Sequence, residues 1–399
     1  MDSPPPLSSE TPSGGRIEDR LVQADACVRE GDLGQARDLL LQCLAQAPDS
    51  AAIHSRLTTV YLRLRDWNGL RSELEYAHRN LPADLAEYER SYLSLLFGEM
   101  PKGWDQWEVR LRIPGKVGPP RTFTQPRWTG EPFPDQTLLL HFEQGFGDTF
   151  MFLRYAPLVK ARGGTVVLLA QKQIAAVAAT CPGIDAVIPE GAPLPPFDLH
   201  LSLPSLPHVF RTDLDSIPCE IPYLDVPEQV PNRQALARLL AKANGRVRIG
   251  CSWAGSPKHK RDKERSIPLK TFGVLAAVPE VAWYSFQFGV MNNPPLPGIT
   301  PLAPALQNFS DTAYALSGMD LVITVDTALA HLAGAMGIPT LLLVHFQPDF
   351  RWLLNREDSP WYPTIRIFRQ PTPGDWEAAL QNVVQELTQA PEAEAQVDL

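Results

Sequence analysis

The sequence predicts an all-helical repeat region followed by two α/β halves, each built on a parallel sheet with helices on both faces. Three observations carry this prediction. Apolar residues in the first third recur with helical spacing and with a longer repeat. Beyond residue 135 short apolar runs alternate with helical segments, the pattern of βαβ units. That alternation begins again near Arg246 after a linker. The 399 residues leave room for two or three domains, and 44% hydrophobic with 20% charged residues is ample for ordinary cores.

The elements follow in order. Residues 1–16 are Ser/Pro/Gly-rich and expected to be disordered. Residues 17–113 carry the repeats. Asp32 and Asp66, Ala36 and Leu70, Leu40 and Leu74, and Pro48 and Pro82 are each 34 positions apart (66 − 32, 70 − 36, 74 − 40, 82 − 48). This is the tetratricopeptide period, in which each unit is a helix–turn–helix and proline ends the second helix. A plain helical bundle is the alternative. "RSYLSLLFGEMPKGWDQWEVRLR" is a weaker third unit, with Trp104 matching Leu70. Residues 114–135 are a Pro/Gly-rich linker. The first α/β half, 136–228, has strands in "TLLLHF", "TVVLLA", "DAVIPE" and "PFDLHLSL", with helices in "TFMFLRYAPLVKARGG" and "QIAAVAATCPG". A linker helix occupies 229–245. The second half, 246–370, has strands in "RVRIGCSWAG", "VAWYSFQ", "DLVITVD" and "IPTLLLVHF". Its helices are "SDTAYALSGM", with Ser310 or Asp311 as N-cap, and "TALAHLAGAMG". A C-terminal helix, 371–388, is expected to pack back over the interdomain region, and the acidic tail 389–399 to fray. Two such halves in tandem imply a ligand held between them.

Bulk properties narrow the function. A net charge of −9 and a pI near 5.4 without a basic stripe argue against nucleic acid or an anionic membrane as partner. No run of about 18 apolar residues would span a membrane. The N-terminus has neither a basic n-region nor an apolar h-region, so it does not read as a signal peptide. Five widely spaced cysteines, with no C-x-x-C pair, fit reduced, mostly buried thiols in a cytoplasm better than a disulfide framework or a zinc site.

Three stretches carry chemistry. In "DLVITVDTALAHLAGAMGIP" an apolar strand ends at Asp326 and a helix follows at Thr327, Ala328 and Leu329. Free N–H groups at a helix start bind phosphate, and ligands of open α/β sheets bind at strand carboxyl ends. Thr327 and His331 are one turn apart and share a face. The competing view makes Asp326 a helix cap and His331 a satisfied buried histidine. In "GCSWAGSPKHKRDKERSIPL" a small-residue turn containing Ser252 and Trp253 leads into five Lys or Arg between Lys258 and Arg265, just before Ser266. This is a candidate diphosphate clamp, or else a solvated loop; Arg265 is the member best placed to be held. In "HFEQGFGDTFMFLRYAP" the loop Glu143, Gln144, Gly145, Phe146, Gly147 opens a helix at Asp148. No G-x-G-x-x-G is present. A carboxylate there repels phosphate and suits a general base acting on an acceptor hydroxyl, or simply a first-turn helix acid.

Together "EQGFGDTFMFLRYAP", "RSIPL", "VDTALAHLAGAMGIPT" and "DFRWLLNREDSPWYPTIRIFRQ" resemble bacterial tetratricopeptide-repeat proteins with a C-terminal domain similar to glycosyltransferase family nine, the ADP-heptose:lipopolysaccharide heptosyltransferases. The resemblance implies a GT-B fold and a nucleotide-sugar donor held mainly by the second half. It implies no bound metal or other cofactor. It makes Asp148 the catalytic base and matches "DTALAHL" to the donor loop, with Thr327 and Ala328 offering backbone N–H groups and His331 near the phosphate or sugar. Ala328 replaces the usual glycine. By topology it puts Gln287 and Trp253 near the nucleotide, and Asp349, Arg351 and Trp352 on the rim, with Trp352 equally open to a packing role.

The function expected is a metal-independent glycosyltransferase whose hydroxyl acceptor is a protein side chain delivered by the repeats, with a homodimer through repeat helices as a further possibility. A glycan or lipopolysaccharide-type acceptor is the second reading. A repeat scaffold carrying a degenerate transferase domain is the third.

Overall fold

The computed structural model describes residues 16–80, 82–117, 121–259, 261–288, 297–347 and 349–389. The expected disordered start, the end of the acidic tail and Lys260 lie outside these residues. The chain divides into two units, Met1–Leu81 and Pro82–Leu399.

The first unit is four helices, Ile17–Glu30, Leu33–Gln46, Ala51–Leu64 and Trp67–Asn80. The paired positions of the sequence repeat do matching work at the helix starts. Asp32 accepts from the Gln35 N–H, and Asp66 from the Gly69 N–H, both at 3.0 Å. Ala36 and Leu40 are fully buried and Leu70 nearly so. A polar cluster closes one end of the unit. His54 bonds Glu73 through Nδ1 at 2.6 Å and the Pro48 carbonyl through Nε2 at 2.8 Å, and stacks on Tyr76. Burial raises the Glu73 carboxyl above its usual range.

The second unit begins with two more helices, Ala83–Leu96 and Met100–Trp107, and the 3-10 turn Glu108–Arg112. The compact unit therefore starts earlier than the change of periodicity near residue 114. The reason is aromatic. Trp104, 1% exposed, meets Phe152 of the first α/β half and Phe350 and Trp361 of the second, with centroids 5.8–6.2 Å apart. Tyr92 and Trp107 also pack on Phe350. These helices are part of the α/β core rather than of the array before it.

Among the described residues ten strands follow: β1 Thr137–His141, β2 Thr165–Ala170, β3 Ala186–Pro189, β4 Leu199–Ser202, β5 Val247–Ser252, β6 Val281–Ser285, β7 Ile299–Pro301, β8 Leu321–Val325, β9 Thr340–Val344 and β10 Ile365–Arg369. They form two parallel sheets, ordered β3-β2-β1-β4 and β10-β9-β8-β5-β6-β7. Strand order reverses beside β1 in the first sheet and between β5 and β8 in the second. Ligand crevices of open sheets lie at the carboxyl ends of strands at such switch points. The first switch point carries the loop before Asp148. The second carries the Ser252–Gly255 turn and Asp326–Ala328.

Several local expectations change. β7 and β10 lie outside the predicted strands; β10 alternates Ile and Phe with arginines, and its neighbour β9 decides the pairing. The helix expected through "TFMFLRYAPLVKARGG" breaks into Phe146–Leu153 and Ala156–Lys160, with Pro157 in the first turn of the second. Asn308, not Ser310 or Asp311, caps Phe309–Leu316; its side chain accepts from both of their N–H groups. The last helix, Trp376–Gln389, buries Trp376, Ala379, Leu380 and Val383 in the core of the second half with Ile249 and Phe272, rather than covering the interdomain region. All five cysteines are free, and only Cys219 is exposed. No helix among the described residues is long and apolar enough to cross a membrane.

Candidate active site

The Asp148 loop is fixed at both ends before any ligand is considered. Gly145 N donates to Asp148 Oδ2 at 2.9 Å, which closes the start of helix Phe146–Leu153. Glu143 does not line an open loop. Its carboxylate takes two hydrogen bonds from Arg110, at 2.6 and 2.8 Å, and its side chain is only 6% exposed. Arg110 also reaches Glu108, Ser205 and Ser202. The Gln144 carbonyl accepts from Gln171 Nε2 at 3.0 Å. Phe146 packs edge-on against Phe309 of the second half, centroids 5.1 Å apart. Gly147 is required by close approach, since a Cβ there would lie 2.7 Å from the His331 ring.

His331 therefore lies where the two halves meet. It is 4% exposed, hydrogen-bonded through Nδ1 to Tyr362 Oη at 2.9 Å, and stacked on Trp352. Burial, reinforced by Arg351 and Arg154, lowers its pKa to about 3, so it is neutral at ordinary pH. Trp352, fully buried, packs on His331 instead of lining an open rim.

The decisive contact joins residues 203 apart. Arg351 Nη2 donates to Asp148 Oδ1, while Nη1 donates to Asp349 Oδ1 at 2.5 Å. Burial works against the Arg351 charge, but Asp349, Asp148 and Asp326 together hold its pKa above the ordinary value. Burial would raise Asp349, yet Arg351 pulls it below the usual carboxylate range. Asp326 is pushed up to about 6, first by burial and then by Asp349, with Arg351 opposing. It is a carboxyl able to exchange a proton near neutrality.

Asp326 leads into helix Ala328–Ala335, whose N-cap is Thr327. The helix thus starts one residue later than expected, and Asp326 does not cap it. Thr327 makes no side-chain cap bond, and its buried Oγ1 has no partner among the described residues. The basic loop is tied to the same place. Arg265 Nη1 donates to the Asp326 carbonyl at 2.9 Å and Nε to Asp262 at 3.2 Å. A Cβ at Gly255 would meet the Arg265 guanidinium, so only glycine leaves room for it. Arg261 pairs with Glu264 and reaches the Gln347 carbonyl. Lys258 is exposed.

Several of the remaining predicted residues hold the turn together. Gln287 Oε1 accepts from Ser252 Oγ, Trp253 N and Ala254 N at 2.8–3.1 Å, and its Nε2 donates to the Ala254 carbonyl. Ser266 Oγ accepts from Gly255 N. The Trp253 ring is buried against Phe272. Among the described residues no group of three or more His, Cys, Asp or Glu side chains could hold a metal ion.

Residues 292–350 match the sequence model of glycosyltransferase family 9 (heptosyltransferase), a stretch that holds β8, the Thr327 helix start and Asp349. The match supports a glycosyltransferase. The chain is 26% identical over 375 residues to protein FlbA of Caulobacter vibrioides, covering 86% of this chain and 62% of that relative, so it spans less than two thirds of FlbA. Among solved structures it is similar to a family 9 glycosyl transferase from Veillonella parvula, with a TM-score of 0.45, 10% identity, and 66% and 92% of the two chains covered. It is also similar to ADP-heptose lipopolysaccharide heptosyltransferase II of E. coli, with a TM-score of 0.42, 12% identity, and 63% and 99% covered.

Proposed function

We propose that the protein is a glycosyltransferase that needs no bound metal and moves a sugar from a nucleotide-diphosphate donor to a hydroxyl acceptor. The observation that carries this is the contact of Asp148, beside the first switch point, with Arg351 after β9, which also interacts with Asp326 of the second. The donor's diphosphate lies on the free N–H groups at the start of Ala328–Ala335, where Thr327 Oγ1 awaits a partner and Arg265 is anchored. Asp148 takes the proton of the acceptor hydroxyl. The hydroxyl oxygen then bonds to the anomeric carbon as the nucleoside diphosphate leaves with the pair from the broken C–O bond. Such a single displacement inverts the anomeric centre.

Two acceptors are supported by different observations. The four helices of Met1–Leu81, with their equivalent caps at Asp32 and Asp66, support a tetratricopeptide array presenting a protein side chain. The heptosyltransferase description of the matched family supports a saccharide acceptor of the lipopolysaccharide type. Deleting residues 1–81 separates them, whereas a cut at 113 would remove Trp104 and Arg110 from the core. We expect the shortened protein to keep donor turnover on a small acceptor and to lose at least about tenfold in kcat/KM on a protein acceptor, a loss of about 1.4 kcal/mol in transition-state binding. Equal losses on both would count against delivery by the repeats.

A further inference from the structure

The guanidinium of Arg351 bonds two carboxylates, Asp148 and Asp349, and interacts electrostatically with a third, Asp326. Its two terminal nitrogens are divided between the halves: Nη2 holds Asp148 of the first and Nη1 holds Asp349 of the second. Its Cζ lies 4.4 Å from the centroid of Phe350, whose ring is buried against Trp104. That flat face lets the guanidinium turn without losing its support. Asp148, by contrast, has a second anchor. Its Oδ2 is held by Gly145 N, so the carboxylate stays in place if Arg351 leaves Oδ1.

We propose that Arg351 is a donor-responsive positioning residue that masks Asp148 when the phosphate site is empty and turns to the donor's diphosphate when it is filled. This rests on the reading of the Thr327 helix start as that phosphate site. A diphosphate beside Asp326 adds negative charge where Arg351 already interacts with three carboxylates, and it offers oxygens in the bidentate geometry a guanidinium prefers. The released Oδ1 of Asp148 then faces the acceptor hydroxyl. Masking and donor binding are linked and reciprocal: the grip of Asp148 on Arg351 weakens diphosphate binding by the same factor by which diphosphate loosens that grip.

The test is a double-mutant cycle read by calorimetric binding of inorganic pyrophosphate, with ADP, GDP and UDP in parallel, to the full chain. Asp148→Asn keeps an oxygen for Gly145 N but gives up the ion pair, and should tighten binding on the order of fivefold or more. Arg351→Gln should weaken it. In the Arg351→Gln background the gain from Asp148→Asn should vanish, because there is no guanidinium to release. Arg351→Lys, which keeps the charge but not the fork, serves if the glutamine variant does not fold, and should shrink the same gain. An Asp148→Asn gain of equal size in both backgrounds would mean simple charge repulsion and overturn the proposal, as would no gain at all. If no probe binds even the unaltered protein, the phosphate-site reading fails and this proposal with it.

Discussion

Asp148→Asn is expected to lower sugar transfer by about 10²–10⁴-fold, the usual worth of a positioned general base. The substitution removes the proton acceptor while leaving an oxygen to accept from Gly145 N, so the helix start keeps its closure. Donor binding should be kept or tightened, because Thr327, Arg265 and Arg351 are untouched and Arg351 is freed from its partner. Steady-state transfer and donor binding, measured separately on one preparation, check this. Turnover within a few-fold of the original protein would mean that another group takes the proton. Asp326, held near a pKa of about 6, would then be the first to replace.

Arg110→Ala is expected to destabilise the protein by about 3–5 kcal/mol, the range for breaking a buried ion pair from one side. The Arg110 side chain is 1% exposed, and its loss strands Glu143 at 6% and leaves Glu108, at 12%, with only its bond from Arg127. Burial works against the arginine's charge, and the bonds from Glu143 and Glu108 outweigh it, which raises its pKa. The midpoint of urea unfolding reports the loss. The double variant Arg110→Met with Glu143→Gln should recover part of it, since the stranded carboxylate is gone. A loss below about 1 kcal/mol for Arg110→Ala would contradict this account of how the helical segment holds the Asp148 loop.

Much of the site was legible where function follows from chain-local geometry. A strand running straight into a helix places Asp148 and Thr327 at carboxyl ends, and the two sheets bear out that arithmetic. The position of Arg265 before an apolar run marks it as a member of its loop to be held, and it bonds the Asp326 carbonyl, though Arg261 is held as well. What stayed hidden depends on partners distant in sequence. Glu143 reads as a loop acid until Arg110, 33 positions earlier and in a different kind of element, is seen to bury it. Arg351 reads as a rim residue until Asp148 is found against it. Gln287 and Trp253 sit at the right strand ends, yet one holds a turn and the other fills the core. The start of the second unit was obscured because Ala83–Trp107 has the same helical spacing as the array before it. The signal was its aromatic content, with Tyr92, Trp104 and Trp107 too large and apolar for the surface of a short repeat.

The central claim is that a nucleotide-diphosphate sugar binds at the helix start of Thr327, where Arg265 is anchored. Thermal unfolding of the full chain across UDP-, GDP-, ADP- and CMP-linked sugars, without added metal, tests it most directly. One of the diphosphate-linked donors, at 100 times its dissociation constant, should stabilise the protein by about 2.7 kcal/mol and raise its melting temperature. The CMP-linked sugar, which carries a single phosphate, should do less. A melting temperature unmoved by every donor would contradict the account and leave the α/β unit a scaffold.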